Sequence, residues 1–269
     1  MHILFIGYGK TSQRVAKQLF QQDHQITTIS RSAKVQDFAT HLIQDIHQLN
    51  LSHIAPVDVV YVLLSPASST PEGYQATFVD AIPAMQKALQ AHPVKKVIVV
   101  SSTRVYGEQA GERIDDASVP QPIDVQGEIL RQMELLWQAA YPEQSIIIRP
   151  TGIYGTSVAR MVKLAQQTST YPNIHYSNRI HIEDLARFLA HLLHVEHQKN
   201  SYIVTNNQPI PLHEIIQWFQ QQFALPVLVL ESDVASGKRI YASNMQQMDF
   251  ELQHPDCFED YSALLAKSW

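Results

Sequence analysis

Met1-His2-Ile3-Leu4-Phe5-Ile6-Gly7-Tyr8-Gly9-Lys10-Thr11-Ser12 is the stretch from which the fold of this chain can be read. Its apolar run is short enough for a buried strand and stops at Gly7. Beyond it, Gln13 to Phe20 places Val15, Ala16, Leu19 and Phe20 at helical spacing. A strand, a Gly-x-Gly turn and a helix are therefore expected. Glycine permits a sharp bend and a close backbone approach, and the first amides of the following helix face outward with the helix dipole behind them, which suits a pyrophosphate. Ser12 stands where the full GxGxxG pattern has its third glycine, and at a helix start a serine can cap or donate to phosphate. The turn, with Gly7, Tyr8, Gly9, Lys10, Thr11 and Ser12, is read as a dinucleotide cradle, the alternative being a plain strand-to-helix turn.

Beyond the helix, His24 to Ser30 reads as a second strand followed by Arg31-Ser32-Ala33-Lys34. The residue just past this strand faces the adenosine ribose in a dinucleotide fold, where an acid suits a 2′-hydroxyl and an arginine a 2′-phosphate. Arg31 favours NADP over NAD; a solvated basic turn is the plain alternative. Thr40 to Ile46 reads as a short third strand, with Asp45 placed for adenine. Val57 to Leu64 is a continuous apolar run ending at Ser65-Pro66, as expected for a strand covered on both faces. A helix over Gly73 to Ala91 carries Tyr74, Phe78, Ile82, Met85 and Leu89 on one side and is expected to kink at Pro83. Lys96 to Val100 is a fifth strand that runs into Ser101-Ser102-Thr103-Arg104-Val105-Tyr106-Gly107.

The chain has 269 residues, 45% hydrophobic and 17% charged, with a formal net charge of -5. That is enough to bury a large core, and it carries no basic footprint for nucleic acid. No stretch approaches transmembrane length. Cys257 is the only cysteine, so no internal disulfide is available, and the first residues read as a core strand rather than a signal; a cytoplasmic protein is expected.

The ordered set Gly7-Tyr8-Gly9, Asp45-Ile46, Ser101 to Gly107, Arg149-Pro150-Thr151-Gly152-Ile153-Tyr154-Gly155, Arg179-Ile180-His181-Ile182-Glu183-Asp184 and Tyr202 to Asn206 resembles the extended and atypical short-chain dehydrogenase/reductases, the NAD-dependent epimerase/dehydratase family with its nucleotide-sugar epimerases. The resemblance covers nearly the whole chain. It implies an α/β fold, a doubly wound, mainly parallel Rossmann sheet with a small C-terminal substrate lobe. Residues 1–155, completed by about 178–207, would form the NAD(P)-binding domain, and 156–177 with 208–269 the lobe. It also implies cofactor contacts at Leu64, Ser65, Ser101, Pro150, Thr151 and Ile153, a substrate-holding hydroxyl at Ser102, and a homodimer.

The chain departs from this family where its chemistry resides. The acid/base of the family is a tyrosine in Tyr-x-x-x-Lys, whose lysine and cofactor depress the phenol pKa. Counting forward from Pro122 and back from Glu134 both place the tyrosine position at Gln126 and the lysine position at Leu130. Neither can titrate. Candidate substitutes are Tyr106, Glu128, Arg131, Tyr154 and His181, with Tyr106 and Tyr154 preferred because they follow strand ends; each also has an ordinary packing or surface role. Gln126 then falls to a substrate contact, and Lys238 and Arg239 could meet substrate phosphates or form a solvated basic pair.

In the C-terminal part, Leu212 to Phe223 reads as a helix and Val227 to Leu230 as a strand. His213-Glu214-Ile215-Ile216-Gln217 lacks the second histidine of a zinc helix, and His191, His194 and His197 do not share one helix face, so no metal is expected. The functional expectation is an NAD(P)-dependent oxidoreductase or epimerase acting on a small, sugar-nucleotide-like polar molecule, or else a cofactor-binding sensor or interaction protein without turnover.

Overall fold

The computed structural model describes residues 1–196 and 198–267. His197, the last of the three histidines considered above, lies outside them. The chain forms two compact units, one of Met1–Gly107, Val119–Arg149 and Ala186–Tyr202, the other of Glu108–Ser118, Pro150–Leu185 and Ile203–Trp269.

The first unit is organised on a seven-stranded sheet. Across it run Thr40–Ile43, Gln25–Ser30, His2–Ile6, Val59–Val62, Lys96–Val100, Ser145–Pro150 and Ser201–Val204, with the chain leaving for the second unit within the last. The pairs from Thr40–Ile43 through Ser145–Pro150 are all parallel. The order is that of a doubly wound Rossmann sheet, which reverses direction between His2–Ile6 and Val59–Val62. Ile3 to Ile6, Val97 to Val99 and Ile146 to Ile148 are fully buried, so burial on both faces explains why these strands read as unbroken apolar runs. Phe5 stacks on Tyr61 across neighbouring strands, and the Tyr61 hydroxyl donates to the Leu189 carbonyl at 2.9 Å, which satisfies its polar end inside the core.

The expected Gly73 to Ala91 helix is interrupted. Pro71–Gln75 is α-helical, Ala76–Asp80 widens into a π-helical turn, and Ile82–Leu89 resumes. Pro83 supplies the reason: it has no N–H to give and its ring crowds the carbonyl of Val79, so the preceding turn opens. The apolar face survives, with Phe78, Ile82, Met85 and Leu89 buried.

The second unit holds a four-stranded sheet in the order Ile210–Pro211, Ile174–Ser177, Ala235–Ile240, Ala110–Ile114. Its core lies under the helices Leu212–Gln222 and Cys257–Lys267, where Ile215, Phe219, Cys257 and Tyr261 are buried. Residues 108–118, 150–155, 178–185 and 203–207 belong to this unit along with 156–177 and the segment from 208 onward. Ala110–Ile114 pairs with Ala235–Ile240, and Asp116 accepts from the Ile203 amide at 2.6 Å, the Ser243 hydroxyl at 3.1 Å and the Asn244 amide at 2.9 Å. Ala110–Ile114 is thus a strand, and Asp116 a clamp, of the second unit.

Candidate functional site

A cleft of about 410 Å³ opens in the first unit and is lined by Gly7, Tyr8, Gly9, Ile29, Ser30, Arg31, Ser32, Lys34, Gln44, Asp45, Ile46, His47, Leu63, Leu64, Ser65 and Thr77. It sits outside the carboxyl ends of the strands that flank the reversal of the sheet, where open α/β sheets hold their ligands.

The two glycines of the turn do different things. Gly7 has φ +93°, and a Cβ there would lie 2.1 Å from the Leu63 carbonyl oxygen, so the neighbouring strand end forces glycine. At Gly9 a Cβ would meet nothing within 4 Å. That open space above the first amides of Lys10–Phe20 is the room a pyrophosphate needs. Ser12, expected to face phosphate, is 1% exposed and donates instead to the Gly7 carbonyl at 2.8 Å. It braces the loop from beneath. Lys10 is exposed, and neither it nor Thr11 lines the cleft.

Tyr8 is buried, its hydroxyl bonded to the Gln36 side chain, and burial outweighs that bond in pushing the phenol up to about 12. It is a wall of the cleft that stays neutral at physiological pH. Arg31 is exposed and lines the cleft together with Lys34. Asp45 accepts from the His47 amide at 2.9 Å, which starts the short 3-10 turn Ile46–Gln48 and holds its own carboxylate at the cleft. Leu64 and Ser65, past the end of Val59–Val62, line it as well.

At the end of the fifth strand, the Ser101 amide donates to the Ile148 carbonyl at 2.7 Å, while its hydroxyl is buried with no hydrogen-bond partner among the described residues. A buried orphan hydroxyl calls for a partner, and a bound ligand would supply one. Ser102 accepts from the Arg104 amide at 3.2 Å and remains partly exposed.

Tyr106 occupies a different environment from that of an acid/base. It is 1% exposed, and its hydroxyl accepts from Arg149 Nη1 at 2.9 Å. Arg149 in turn forks onto Glu134 at 2.9 and 2.8 Å, and Arg131 adds a bond to Glu134 at 2.9 Å. Burial opposes the Arg149 charge, but Glu134 and Tyr106 outweigh it and raise its pKa. Tyr106 and Arg131 therefore belong to a buried structural ion pair. Gln126 is held at both ends of its amide, accepting from Arg104 at 3.2 Å and donating to the Ser69 carbonyl at 3.0 Å. Leu130 is 3% exposed, part of the hydrophobic core. Glu128 is exposed in the first turn of Val125–Ala140, whose N-cap is Asp124.

Tyr154 lies in the second unit. Its hydroxyl donates to Asp260 at 2.5 Å, and burial together with that carboxylate raises its pKa. His254 Nδ1 bonds the other Asp260 oxygen at 2.6 Å, and the His254 ring stacks on His181 at 3.6 Å. Donor atoms of His181, His254 and Asp260 lie within 4.8 Å of one another, a grouping absent from the sequence reading. Groups so spaced could hold a metal ion, whereas no metal is expected from the sequence. Thr151 is buried and its amide donates to the Val204 carbonyl, Pro150 ends its strand in the core, and Ile153 is 47% exposed. Arg239 donates to the Gly111 carbonyl at 2.8 Å and lies over Tyr176, while Lys238 sits beside it on the same strand.

The cleft thus gathers Gly7, Tyr8, Gly9, Arg31, Asp45, Ile46, Leu64 and Ser65 from the expected residues. It adds Gln44, His47, Leu63 and Thr77. Thr77 is carried there by the π-helical turn, for which only Pro83 was a signal.

These residues fit a dinucleotide: an open glycine before a helix start, cationic side chains past the second strand, and an unpaired hydroxyl at the end of the fifth. Comparison with known proteins agrees. Residues 7–196 match the family model described as NAD(P)H-binding. Protein YeeZ of Escherichia coli K12 is 26% identical over 216 residues, 77% of this chain and 75% of that protein. A structure from Methylobacillus flagellatus, provisionally described as an NAD-dependent epimerase/dehydratase, superposes with TM-score 0.83 at 28% identity, covering 99% of this chain and 98% of that one. A UDP-glucuronic acid 4-epimerase from Bacillus cereus in complex with NAD gives TM-score 0.80 at 15% identity over 100% and 99% of the chains, a likeness of fold. The chain belongs to the NAD(P)H-binding family.

Proposed function

We propose that this protein binds NADP in preference to NAD and works on a small, sugar-nucleotide-like polar substrate, as an oxidoreductase or epimerase whose acid/base differs from the Tyr-x-x-x-Lys pair. The observation that carries the cofactor reading is the cleft itself, where the open face of Gly9 and the exposed Arg31 with Lys34 line one space. In this reading the helix amides after Gly9 take the pyrophosphate, Asp45 and Ile46 the adenine, and Arg31 with Lys34 the 2′-phosphate. Lys10 and Thr11 contribute through the helix start, and Ser101 serves the nicotinamide half. Bound cofactor would supply hydride exchange. Ser102 would hold the reacting hydroxyl or carbonyl. Relatives of this fold that bind UDP-glucose or UDP-glucuronic acid with NAD support the substrate class.

A second reading is favoured by a specific observation: Gln126 is pinned at both ends and Leu130 is buried, so the position of the usual relay is a structural contact. There the protein is a cofactor-binding sensor or interaction module. Incubation with NADP⁺ or NAD⁺ and a panel of UDP-sugars, with products followed by chromatography and reduced cofactor by fluorescence, separates the two. Sustained turnover supports the enzyme; cofactor binding with no turnover on any member supports the sensor. A cytoplasmic homodimer is part of the proposal, checked by light scattering, where a monomer mass would contradict it.

A further inference from the structure

The turn that carries Arg31 is fixed by a side chain outside the cleft. His41 faces Thr28 across parallel strands, in register with it. Its Nδ1 lies 2.7 Å from Thr28 Oγ1, and its Nε2 lies 3.0 Å from the Ser32 carbonyl oxygen and 3.3 Å from Ser30 Oγ. A carbonyl can only accept, so Nε2 carries a proton and donates to Ser32, and in the neutral ring Nδ1 then accepts from the threonine hydroxyl. Thr28 is fully buried in the central sheet, and the Tyr8 ring leans against the imidazole with centroids 5.9 Å apart. The Ser30 hydroxyl donates to the same Ser32 carbonyl at 2.8 Å. The Ser32–Ala33 peptide, one residue past Arg31, is therefore tied to the rigid sheet twice, by the Ser30 hydroxyl and by the imidazole, and only the imidazole links it to the neighbouring strand. Without that tie, the mobility of an exposed loop would govern where the guanidinium points.

We propose that His41 is a positioning residue for cofactor selectivity: by locking the Ser32 carbonyl, it holds Arg31 toward the ribose 2′-position and so favours a 2′-phosphorylated dinucleotide. The inference rests on the NADP reading of the cleft. Arg31 is exposed, and a long exposed side chain loses rotamer freedom on binding; a prearranged backbone reduces how much must be lost. His41 makes no contact with the cofactor in this account. It acts through Arg31.

The test is a double-mutant cycle in the full chain, with dissociation constants for NADP⁺ and NAD⁺ measured by calorimetry on wild type, His41→Leu, Arg31→Ala and the double variant. His41→Leu should weaken NADP⁺ about tenfold more than NAD⁺, near the scale of one charge-assisted contact. The double variant should be no weaker for NADP⁺ than Arg31→Ala alone. His41→Gln, whose amide nitrogen can reach the position of Nε2, should restore most of the selectivity. Thr28→Val, which removes only the anchor in the sheet, gives a milder loss in the same direction and serves if His41→Leu does not fold. Parallel losses for both cofactors, additive effects in the double variant, or equal losses in the Gln and Leu variants would overturn the proposal. A wild type that binds NAD⁺ as tightly as NADP⁺ takes down the NADP reading itself, and the wild-type titrations alone reveal it.

Discussion

At the scale of single residues, the site rests on two glycines that physics separates. Gly7 is held at positive φ against the Leu63 carbonyl, so Gly7→Ala should lower the melting temperature as well as cofactor affinity. A thermal melt of that variant matching wild type would contradict the reading. Arg31→Ala should weaken NADP⁺ by about tenfold or more and leave NAD⁺ nearly as before, measured by calorimetry. Equal losses would make Arg31 a general structural residue. Cys257 is fully buried, and burial drives its thiol up to about 11, so it should resist thiol reagents in the native protein and react on unfolding. Gly7, Gly9, Arg31 and Asp45 were legible in the sequence because each answers a local demand, a turn or a strand end. Ser12 was legible as a small residue at a helix start, but its inward hydrogen bond to Gly7 depends on the curl of the loop. Gln44 and His47 reach the cleft only through the path of the chain after the third strand, which no pattern marks, and Thr77 only through the π-helical turn, for which Pro83 is the one sign.

At the scale of elements, the buried ion pair ties the strand Ser145–Pro150 to the helix Val125–Ala140. Glu134 is fully buried and accepts from both Arg149 and Arg131. Glu134→Gln should cost about 3 kcal/mol, the scale of leaving a buried charge without its partner. Urea denaturation measures it, and a cost below about 1 kcal/mol would show that Arg149 finds another counter-charge. The strands of the first unit were readable because both faces are covered, and the interruption near Pro83 because proline cannot donate. The role of Ala110–Ile114 was hidden: its partner strand, Ala235–Ile240, lies far downstream in the sequence. Tyr106 and Tyr154 looked alike as phenols after strand ends. Only tertiary structure gives one to Arg149 and the other to Asp260.

At the scale of the whole molecule, acid should act on the second unit through His181. Burial, and then neighbouring His254, hold its pKa below the ordinary histidine value of 6.5. The unfolded chain therefore binds a proton that the folded one does not, unfolding takes up that proton, and stability falls as pH drops below about 6.5. Urea midpoints should be lower near about pH 5.5 than near about pH 7.5, and His181→Gln should reduce the difference, leaving the part due to His24, His92 and His191, whose pKa values burial lowers as well. An identical pH dependence in the variant would contradict this assignment. The central claim is that the cleft beside Gly9 holds a nicotinamide dinucleotide, and Gly9→Ala tests it most directly, because a Cβ there meets no protein atom within 4 Å yet enters the space assigned to the pyrophosphate. Calorimetric titration of wild type and Gly9→Ala with NADP⁺, alongside their thermal melts, should give one binding event in wild type, affinity at least about tenfold weaker in the variant, and matching melting temperatures. No binding in wild type, or equal binding in both proteins, would contradict it.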